Sequence, residues 1–253
     1  MALATKPKPS VVKHKTGYEK WQDGIDKAVG NARWDVYDCK IQLTVNEFNR
    51  HLSGVAGYRP LDWQLIKAML WTETGANNDF WDTNPMQIGM FNDPGLTAFL
   101  TGKEGVDLIL PPQWRSTLTA GTARNVPSAN IQAGIGYLLM KMASFSIKSV
   151  SDDDTKTYEI TVKAGDSLDK IAREHGSTIE MMRKLNPTAQ ILRPGQVLKL
   201  QKASLQKVIV GWKTITTASI AKYYNGGGNV LYQDKLDYAL SALRKNKLAV
   251  CAQ

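Results

Sequence analysis

The chain has 253 residues, of which 43% are hydrophobic and 22% charged, so it can bury the core of one large domain or of two smaller ones. Its net charge of +9 favours an anionic partner, such as nucleic acid, an acidic membrane surface or the bacterial wall. Because the basic residues are spread along the chain, without an arginine-rich helix or zinc-finger spacing, we do not expect nucleic acid to be that partner.

Residues 1–17 are basic and carry Pro7 and Pro9, which is typical of a flexible arm. They contain no apolar stretch long enough for a secretory signal, and no run in the chain approaches the roughly 20 apolar residues that cross a bilayer. We therefore expect a protein that is made in the cytoplasm without a signal peptide or a transmembrane segment. A target outside the cytoplasm would require another delivery route.

The two cysteines, Cys39 and Cys251, lie near opposite ends of the chain. Two unrelated free thiols are the simpler interpretation, and the alternative is a disulfide formed after delivery to an oxidising compartment. The three histidines show no ligand spacing, so the sequence predicts neither a metal nor a cofactor.

A largely helical region begins near residue 18. The clearest early helix covers residues 60–73, with Pro60 and Asp62 suited to its first turn and Gly75 to its end. Residues 75–127 are rich in Asn, Asp, Gly and Pro, which is typical of long loops around a cleft. Another helix is predicted from about Ser128, with one apolar face.

Glu73 lies about one helical turn after Leu70 and Met69 and about two turns after Ile66, and thus on the face of these three apolar residues. Burial and the negative end of the helix dipole both raise the pKa of such a carboxyl group, as a general acid requires. From spacing alone, a glutamate that simply reaches solvent remains the simpler interpretation.

An acidic linker around residues 149–157 separates this region from a compact unit of different character. YEITV alternates like a strand, Asp166 can cap one helix and Thr178 a second, and VLKLQ is a closing strand. The sequence predicts a β-α-α-β unit over residues 155–202, followed by a return to helix from about Lys202.

The β-α-α-β unit resembles a LysM module, a family that binds glycans containing N-acetylglucosamine. The resemblance rests on residues in matching order and spacing: Val162, Gly165-Asp166-Ser167-Leu168, Ile171-Ala172, Leu185-Asn186-Pro187, Leu192-Arg193-Pro194-Gly195-Gln196 and Leu198. Ser167 stands where the family usually has Thr. The resemblance implies a sugar groove between two loops, formed by Gly165, Asp166, Ser167, Leu168, Ile191 and Leu192.

Four segments outside this unit resemble, in order, the soluble lytic transglycosylase and goose-type lysozyme superfamily. They are Trp71-Thr72-Glu73-Thr74-Gly75, Asn84-Pro85-Met86-Gln87-Ile88-Gly89, Asn130-Ile131-Gln132-Ala133-Gly134 with Tyr137-Leu138, and Tyr224-Asn225-Gly226-Gly227 with the later Tyr238. The resemblance implies that Glu73 is catalytic. It also implies that the substrate is bound by Met86, Gln87, Ile88, Tyr137, Tyr224, Asn225, Gly226 and Tyr238.

The chain departs from the family's pattern in three ways. Thr74 replaces the usual Ser, Asn84-Pro85 replaces Gly-Leu, and the LysM-like unit lies between the third and fourth segments. The expected fold is a mainly α, lysozyme-like (α+β) catalytic domain in two parts, residues 18–152 and 203–253, with the β-α-α-β domain inserted between them. An insertion of this kind is tolerated when its two ends meet at the surface of the host domain.

The expected activity is lytic transglycosylation: cleavage of the bond between N-acetylmuramic acid and N-acetylglucosamine, with formation of a 1,6-anhydro ring. A hydrolytic muramidase is the alternative, and its second carboxylate could come from Asp79, Asp82 or Asp93. A non-catalytic wall-binding protein is a third hypothesis.

The expected partner is peptidoglycan, which the protein would reach in the periplasm or cell wall of a target cell. Delivery as an antibacterial effector of a type VI secretion machine, with a cognate immunity protein, is favoured over a phage origin.

Overall fold

The computed structural model describes residues 14–90, 94–101, 104–246 and 251, which form a mixed α+β structure in two compact units. The first unit comprises Met1–Ser53, Arg59–Lys141 and Thr214–Gln253, and the second Gly54–Tyr58 and Met142–Lys213. The predicted flexible arm lies almost entirely outside the described residues.

The first unit is helical. Its helices are α1 (Gly17–Ala28), α2 (Ala32–Asp35), α3 (Asp38–Leu52), α4 (Trp63–Glu73), α5 (Pro94–Leu100), α6 (Val106–Ile109), α7 (Ala120–Asn125), α8 (Pro127–Met142), α11 (Thr217–Tyr223) and α12 (Tyr232–Arg244). Short 3-10 turns lie at Asp79–Asp82 and Pro112–Trp114. Among the helices of the described residues, none is long and apolar enough to cross a membrane.

Helix α4 lies at the centre of this unit and packs against α3 and α12. Asp62 caps it by accepting a hydrogen bond from the Gln64 amide at 2.9 Å, as its position in the sequence predicts. Residues 65–71 are all buried, so α4 is enclosed on nearly every side and not only on one apolar face. The only charge in this buried stretch is Lys67.

Lys67 is neutralised by two acidic residues that precede it in the chain. Its Nζ lies 2.6 Å from Asp35 Oδ1 and 2.7 Å from Asp38 Oδ1. Burial raises the pKa of Asp38, and the Lys67 ammonium acts against that rise. The three charges fix α2 and α3 against α4, because a buried ammonium requires such partners.

In the second unit, a pair of strands flanks the β-α-α-β segment along the chain. Strand β1 (Ala143–Ser151) pairs antiparallel with β4 (Ala203–Trp212), in a register that runs from Ala143 opposite Trp212 to Ser151 opposite Ala203. The expectation of helix directly after Lys202 is therefore wrong. The run SLQKVIV is compatible with either structure, and pairing with a strand some 60 residues earlier selects the extended form.

Between these strands lie β2 (Tyr158–Thr161), α9 (Leu168–Glu174), α10 (Ile179–Leu185) and β3 (Val197–Leu200). Strands β2 and β3 pair antiparallel, with Tyr158 opposite Leu200. The order of elements matches the prediction, and Thr178 caps α10 as expected. Their core is formed by Val162, Ile171, Ala172, Met182, Ala189, Leu198 and Leu200.

The cap of α9 differs from the prediction. The Ser167 hydroxyl accepts the hydrogen bond from the Lys170 amide at 3.1 Å, so Ser167 is the N-cap. Asp166 instead accepts from the Lys163 amide at 2.8 Å and from Lys170 Nζ at 3.0 Å. Asp166 therefore fixes the loop before the helix, because its carboxylate closes the turn from Lys163.

The two cysteines form a disulfide. Cys39, on α3, and Cys251 are bonded with their Cα atoms 5.4 Å apart. The Cys251 amide also donates a hydrogen bond to Gln42 Oε1 at 3.1 Å. The alternative of two free thiols is thereby excluded, and Cys251 is fixed to α3.

Candidate active site

The side chain of Glu73 lies at the carboxyl end of the central helix α4. The residue is partly buried, and its Oε1 accepts a hydrogen bond of 2.7 Å from the phenol of Tyr232. Tyr232 is 2% exposed and begins α12, the helix that packs along α4. Two helices far apart in sequence thus bring one carboxyl group and one phenol together.

Burial raises the pKa of Glu73 from its usual 4.5 to about 7, and the hydrogen bond from Tyr232 acts in the opposite direction. The expected rise in pKa is therefore confirmed, and burial is its main cause. A carboxyl group with this pKa exchanges its proton readily near neutral pH, so it can serve as an acid and then as a base.

Tyr232 belongs to a group of three tyrosines. Burial and the neighbouring Glu73 carboxylate raise the pKa of Tyr232 well above its usual value, and Tyr224 contributes to that rise. The Tyr224 ring packs edge-on against Tyr137, with 5.6 Å between the centroids. The phenol of Tyr232 therefore stays protonated and acts as a hydrogen-bond donor toward Glu73.

A tight turn at residues 84–87 is bound to the end of α4. The Gln87 amide donates to the Asn84 carbonyl at 3.0 Å, with Pro85 at the position where a turn favours proline. The Thr74 hydroxyl donates to the Pro85 carbonyl, and the Gln87 side-chain amide donates to the Glu73 carbonyl. Thr74 and Asn84-Pro85, two of the three departures from the pattern that the sequence resembles, therefore lie at the contact between turn and helix.

The buried side chain of Asn130, on α8, fixes the same turn from the other side. Its Oδ1 accepts from the Met86 amide at 2.7 Å. Its Nδ2 donates to Asn84 Oδ1 at 2.7 Å, to the Ile88 carbonyl at 3.0 Å and to the Ala123 carbonyl at 2.7 Å. Asn130 is fully buried, so these contacts satisfy the hydrogen-bonding groups of its amide and fix the position of the turn beside the end of α4.

Gln87 contacts Glu73, and Tyr224 lies near Tyr232 with Tyr137 packed against it. Met86 and Ile88 are buried, with 1% and 5% exposure. The Met86 backbone carbonyl accepts a hydrogen bond from Tyr224 Oη at 3.3 Å. The buried side chains of Met86 and Ile88 therefore belong to the packing that supports the turn.

The loop after α11 contains Asn225 and Gly226. Asn225 Oδ1 accepts a hydrogen bond from the Asn229 amide at 3.2 Å. Gly226 and Gly227 have φ angles of 70° and 75°, a conformation that favours glycine. This loop leads directly into Tyr232, so its shape determines where α12 begins.

Tyr238 does not meet Glu73. Its phenol donates to Asp26 Oδ1 at 2.9 Å, and its ring lies edge-on to Trp21 at 6.2 Å. Tyr232, on the same helix, is the tyrosine that donates a hydrogen bond to Glu73. The two differ by six residues, which is about 120° around a helix, and spacing alone did not show which one faces α4.

Of the three candidate second carboxylates, the structure describes Asp79 and Asp82, and neither contributes to the pKa shift of Glu73. Asp79 and Asp82 are exposed on the 3-10 turn, and Asp82 pairs with Arg33 at 3.2 Å. Asp93 lies outside the described residues. Among the residues that the structure describes, no charged group shifts the pKa of Glu73, and no three His, Cys, Asp or Glu side chains are grouped as metal ligands would be.

In the second unit, the two segments expected to bind sugar emerge from the same end of the β2–β3 pair. The Val162 amide donates to the Gln196 carbonyl, and the Gly195 amide to the Val162 carbonyl, each at 2.8 Å. These bonds bring the loop of Gly165, Asp166, Ser167 and Leu168 beside the loop of Ile191 and Leu192. Ile191 is 81% exposed, whereas Leu168 and Leu192 pack on the core.

Comparison with protein families identifies a LysM domain at residues 160–201, which indicates that this part of the chain binds peptidoglycan or a related glycan and that the protein is associated with the cell wall. No curated protein and no solved structure matches the chain.

Proposed function

We propose that the chain is a peptidoglycan lytic transglycosylase in which Glu73 is the catalytic acid and base. The observation that carries the proposal is the state of this one carboxyl group. It lies at the end of a buried helix, has a pKa of about 7 and is held in place by the Tyr232 phenol. The four ordered segments that resemble the transglycosylase and goose-type lysozyme superfamily, and a lysozyme-like fold for the helical unit, are part of the same proposal.

In the first step, the protonated Glu73 carboxyl donates its proton to the glycosidic oxygen between N-acetylmuramic acid and N-acetylglucosamine. The bond from C1 of the muramic acid to that oxygen breaks, and the N-acetylglucosamine leaves with the proton. The Glu73 carboxylate then accepts the proton of the muramic acid 6-hydroxyl, whose oxygen bonds to C1. One carboxyl group serves both proton transfers, no water is consumed, and Glu73 ends the cycle protonated.

The residues around Glu73 support these two transfers. Tyr232 stabilises the carboxylate formed in the first step, because its phenol donates to Oε1. The turn of residues 84–87 and the ring of Tyr224 lie close to this group and would contact the sugar. Since Gln87 uses its amide on the Glu73 carbonyl, it contributes mainly by holding the turn at the helix end.

Among the residues that the structure describes, no second carboxylate acts on Glu73, and this favours transglycosylation over hydrolysis. An inverting hydrolase needs a second carboxylate about 6.5–9.5 Å from the acid to activate water. Asp79 and Asp82 are exposed, Asp82 is paired with Arg33, and neither affects the pKa of Glu73. They are therefore poor candidates for that role.

The LysM domain would hold the enzyme on its polymeric substrate and raise the local concentration of glycan strands. The disulfide between Cys39 and Cys251 favours action in an oxidising compartment such as the periplasm. Delivery as a type VI effector, with an immunity protein in the producing cell, stays a prediction. It would be tested by directing the protein to the cytoplasm or to the periplasm and comparing cell lysis.

The proposed assignment of Glu73 is tested by measuring the clearing of purified peptidoglycan by the unchanged protein and by Glu73→Gln, Asp79→Asn, Asp82→Asn and Asp93→Asn. We expect a loss of at least about a hundredfold for Glu73→Gln alone, since general acid catalysis contributes about 10²–10⁴-fold. A comparable loss for one aspartate variant would favour the hydrolase. Undiminished clearing by Glu73→Gln would leave a wall-binding protein whose catalyst, if any, lies elsewhere.

A further inference from the structure

A pocket of about 300 Å³ lies in the helical unit and is lined by Trp71 and Thr74, which flank Glu73 in sequence, but not by Glu73 itself. Trp71 precedes Glu73 by two residues, which is about 200° around the helix. Ligand pockets in proteins span about 300–1,000 Å³, so this one has room for a ligand the size of a single sugar ring. None of the proposed chemistry at Glu73 uses it.

The floor and one wall of the pocket are aromatic. Trp71 and Trp34 are buried, with 1% and 9% exposure, and pack edge to face with 5.3 Å between their centroids. The Trp71 indole N–H is satisfied by the Trp34 carbonyl at 3.3 Å. Trp21, on α1, forms the partly exposed wall. Trp71 and Trp34 therefore form the covered base of the pocket, and Trp21 supplies the aromatic surface that a ligand can reach.

The wall is held in one orientation before any ligand binds. The Trp21 ring stacks on Tyr18, with 6.0 Å between the centroids and 9° between the planes, and meets the edge of Tyr238. Lys235 Nζ lies 5.5 Å from the centre of the same ring. Tyr238 is itself fixed by its hydrogen bond to Asp26. The cluster on α1 and α12 thus presents a preformed aromatic surface at low entropic cost.

The rim opposite is polar and equally well fixed. Asn77 and Asn78 are exposed and follow Gly75, whose φ of 71° and close approach to the Trp34 ring exclude a larger residue. The Asn78 amide donates to the Gly75 carbonyl at 3.1 Å, and Arg33 Nε donates to the Ala76 carbonyl at 2.8 Å. Within the described part of the chain, the side-chain amide of Asn77 has no hydrogen-bond partner.

From this arrangement we propose that the pocket is a second, non-catalytic glycan-binding subsite, which takes one N-acetylhexosamine unit of a glycan strand. A pyranose ring has a face of C–H groups that packs on an indole, and it has vicinal hydroxyls that an asparagine amide both accepts from and donates to. The LysM domain of the same chain indicates that glycan is the polymer this protein meets. The inference does not depend on cleavage by Glu73.

The test uses the full chain carrying Glu73→Gln, so that the probe, chitotetraose, is not cleaved. Every tryptophan of the chain lies outside residues 160–201, so indole signals do not report binding within the LysM domain. In ¹⁵N-labelled protein, the indole N–H peak that disappears in Trp21→Phe identifies Trp21. We expect this peak to move with chitotetraose and to saturate.

Asn77→Ala is expected to weaken the binding that the Trp21 peak reports by about 3–10-fold, the equivalent of one hydrogen bond. It should leave the LysM amide shifts unchanged. Phe80→Ala, which removes an exposed aromatic ring outside the pocket, is the matched control and should change neither signal.

The proposal is overturned if the Trp21 peak stays fixed at chitotetraose concentrations that saturate the LysM amides, or if Asn77→Ala binds as tightly as its parent. The proposal is also overturned if the Trp21 peak moves with the stem peptide of peptidoglycan and not with chitotetraose, because the ligand would then be a peptide. None of these outcomes bears on whether Glu73 cleaves the wall.

Discussion

Replacement of Tyr232 by phenylalanine removes the only described hydrogen bond that favours the ionised form of Glu73. The phenol donates to Glu73 Oε1 at 2.7 Å, and the ring is 2% exposed between α12 and α4. Phenylalanine fills almost the same volume, so packing is retained and the donor alone is lost.

The expected size of the effect follows from the strength of that bond. A hydrogen bond to a charged group contributes about 1.5–3 kcal/mol, and 1.36 kcal/mol corresponds to one pKa unit. Since the bond lowers the pKa of Glu73 against the effect of burial, its loss raises that pKa by about 1–2 units from its value of about 7. The carboxyl group would then stay protonated to about pH 8–9.

The assay is the pH dependence of peptidoglycan clearing. A general acid works only when protonated, so activity falls as the pH rises through the pKa of Glu73. In Tyr232→Phe we expect this falling limb to move to higher pH by about 1–2 units. The maximal rate should decrease, since the carboxylate formed in the first step loses its donor.

The matched control is Tyr224→Phe, because the Tyr224 phenol donates to the Met86 carbonyl and not to Glu73. Its falling limb should stay close to that of the unchanged protein. If the limb of Tyr232→Phe does not move, or moves to lower pH, then Tyr232 does not govern the ionisation of the catalytic group and the reasoning above is refuted.

Three further predictions concern stability. The pKa of Glu73 is higher in the folded chain, so the free energy of unfolding falls as the pH rises from about 4.5 to 7. Above pH 7, the free energy of unfolding of Glu73→Gln in urea titrations should therefore be higher than that of the unchanged protein by up to about 3 kcal/mol. Cys39→Ser, which removes the disulfide, should lower the free energy of unfolding by about 2–5 kcal/mol. Dithiothreitol should lower the melting temperature of the unchanged protein, because it releases Cys251, and should not change that of Cys39→Ser. Asn130→Asp keeps the acceptor for the Met86 amide but replaces the donor by a carboxylate oxygen that faces three other oxygens. Its free energy of unfolding in denaturant should therefore be lower by about 2–4 kcal/mol. In each of the three cases, a variant as stable as the unchanged protein would contradict the prediction.

Local patterns in the sequence were sufficient to predict several elements. The caps at Asp62 and Thr178 and the helix from about residue 128 are confirmed, because each depends on residues within a few positions of one another. The β-α-α-β order of the LysM domain is confirmed for the same reason. So is the rise in the pKa of Glu73, whose helix is apolar around it.

Features that depend on distant parts of the chain were not predictable from spacing. The bond between Tyr232 and Glu73 spans 159 positions, and the disulfide spans 212. Strand β4 is extended because β1 lies beside it, although its own sequence is also compatible with helix. The four bonds of Asn130 likewise join segments that meet only in the folded chain.

The central claim, that Glu73 cleaves glycan strands by transglycosylation, is tested most directly by mass spectrometry of the fragments released from purified peptidoglycan. We expect muropeptides that end in 1,6-anhydro-N-acetylmuramic acid, and none from the Glu73→Gln protein. Fragments with reducing ends and no anhydro form would contradict the transglycosylase mechanism, and anhydro products from Glu73→Gln would contradict the role assigned to Glu73.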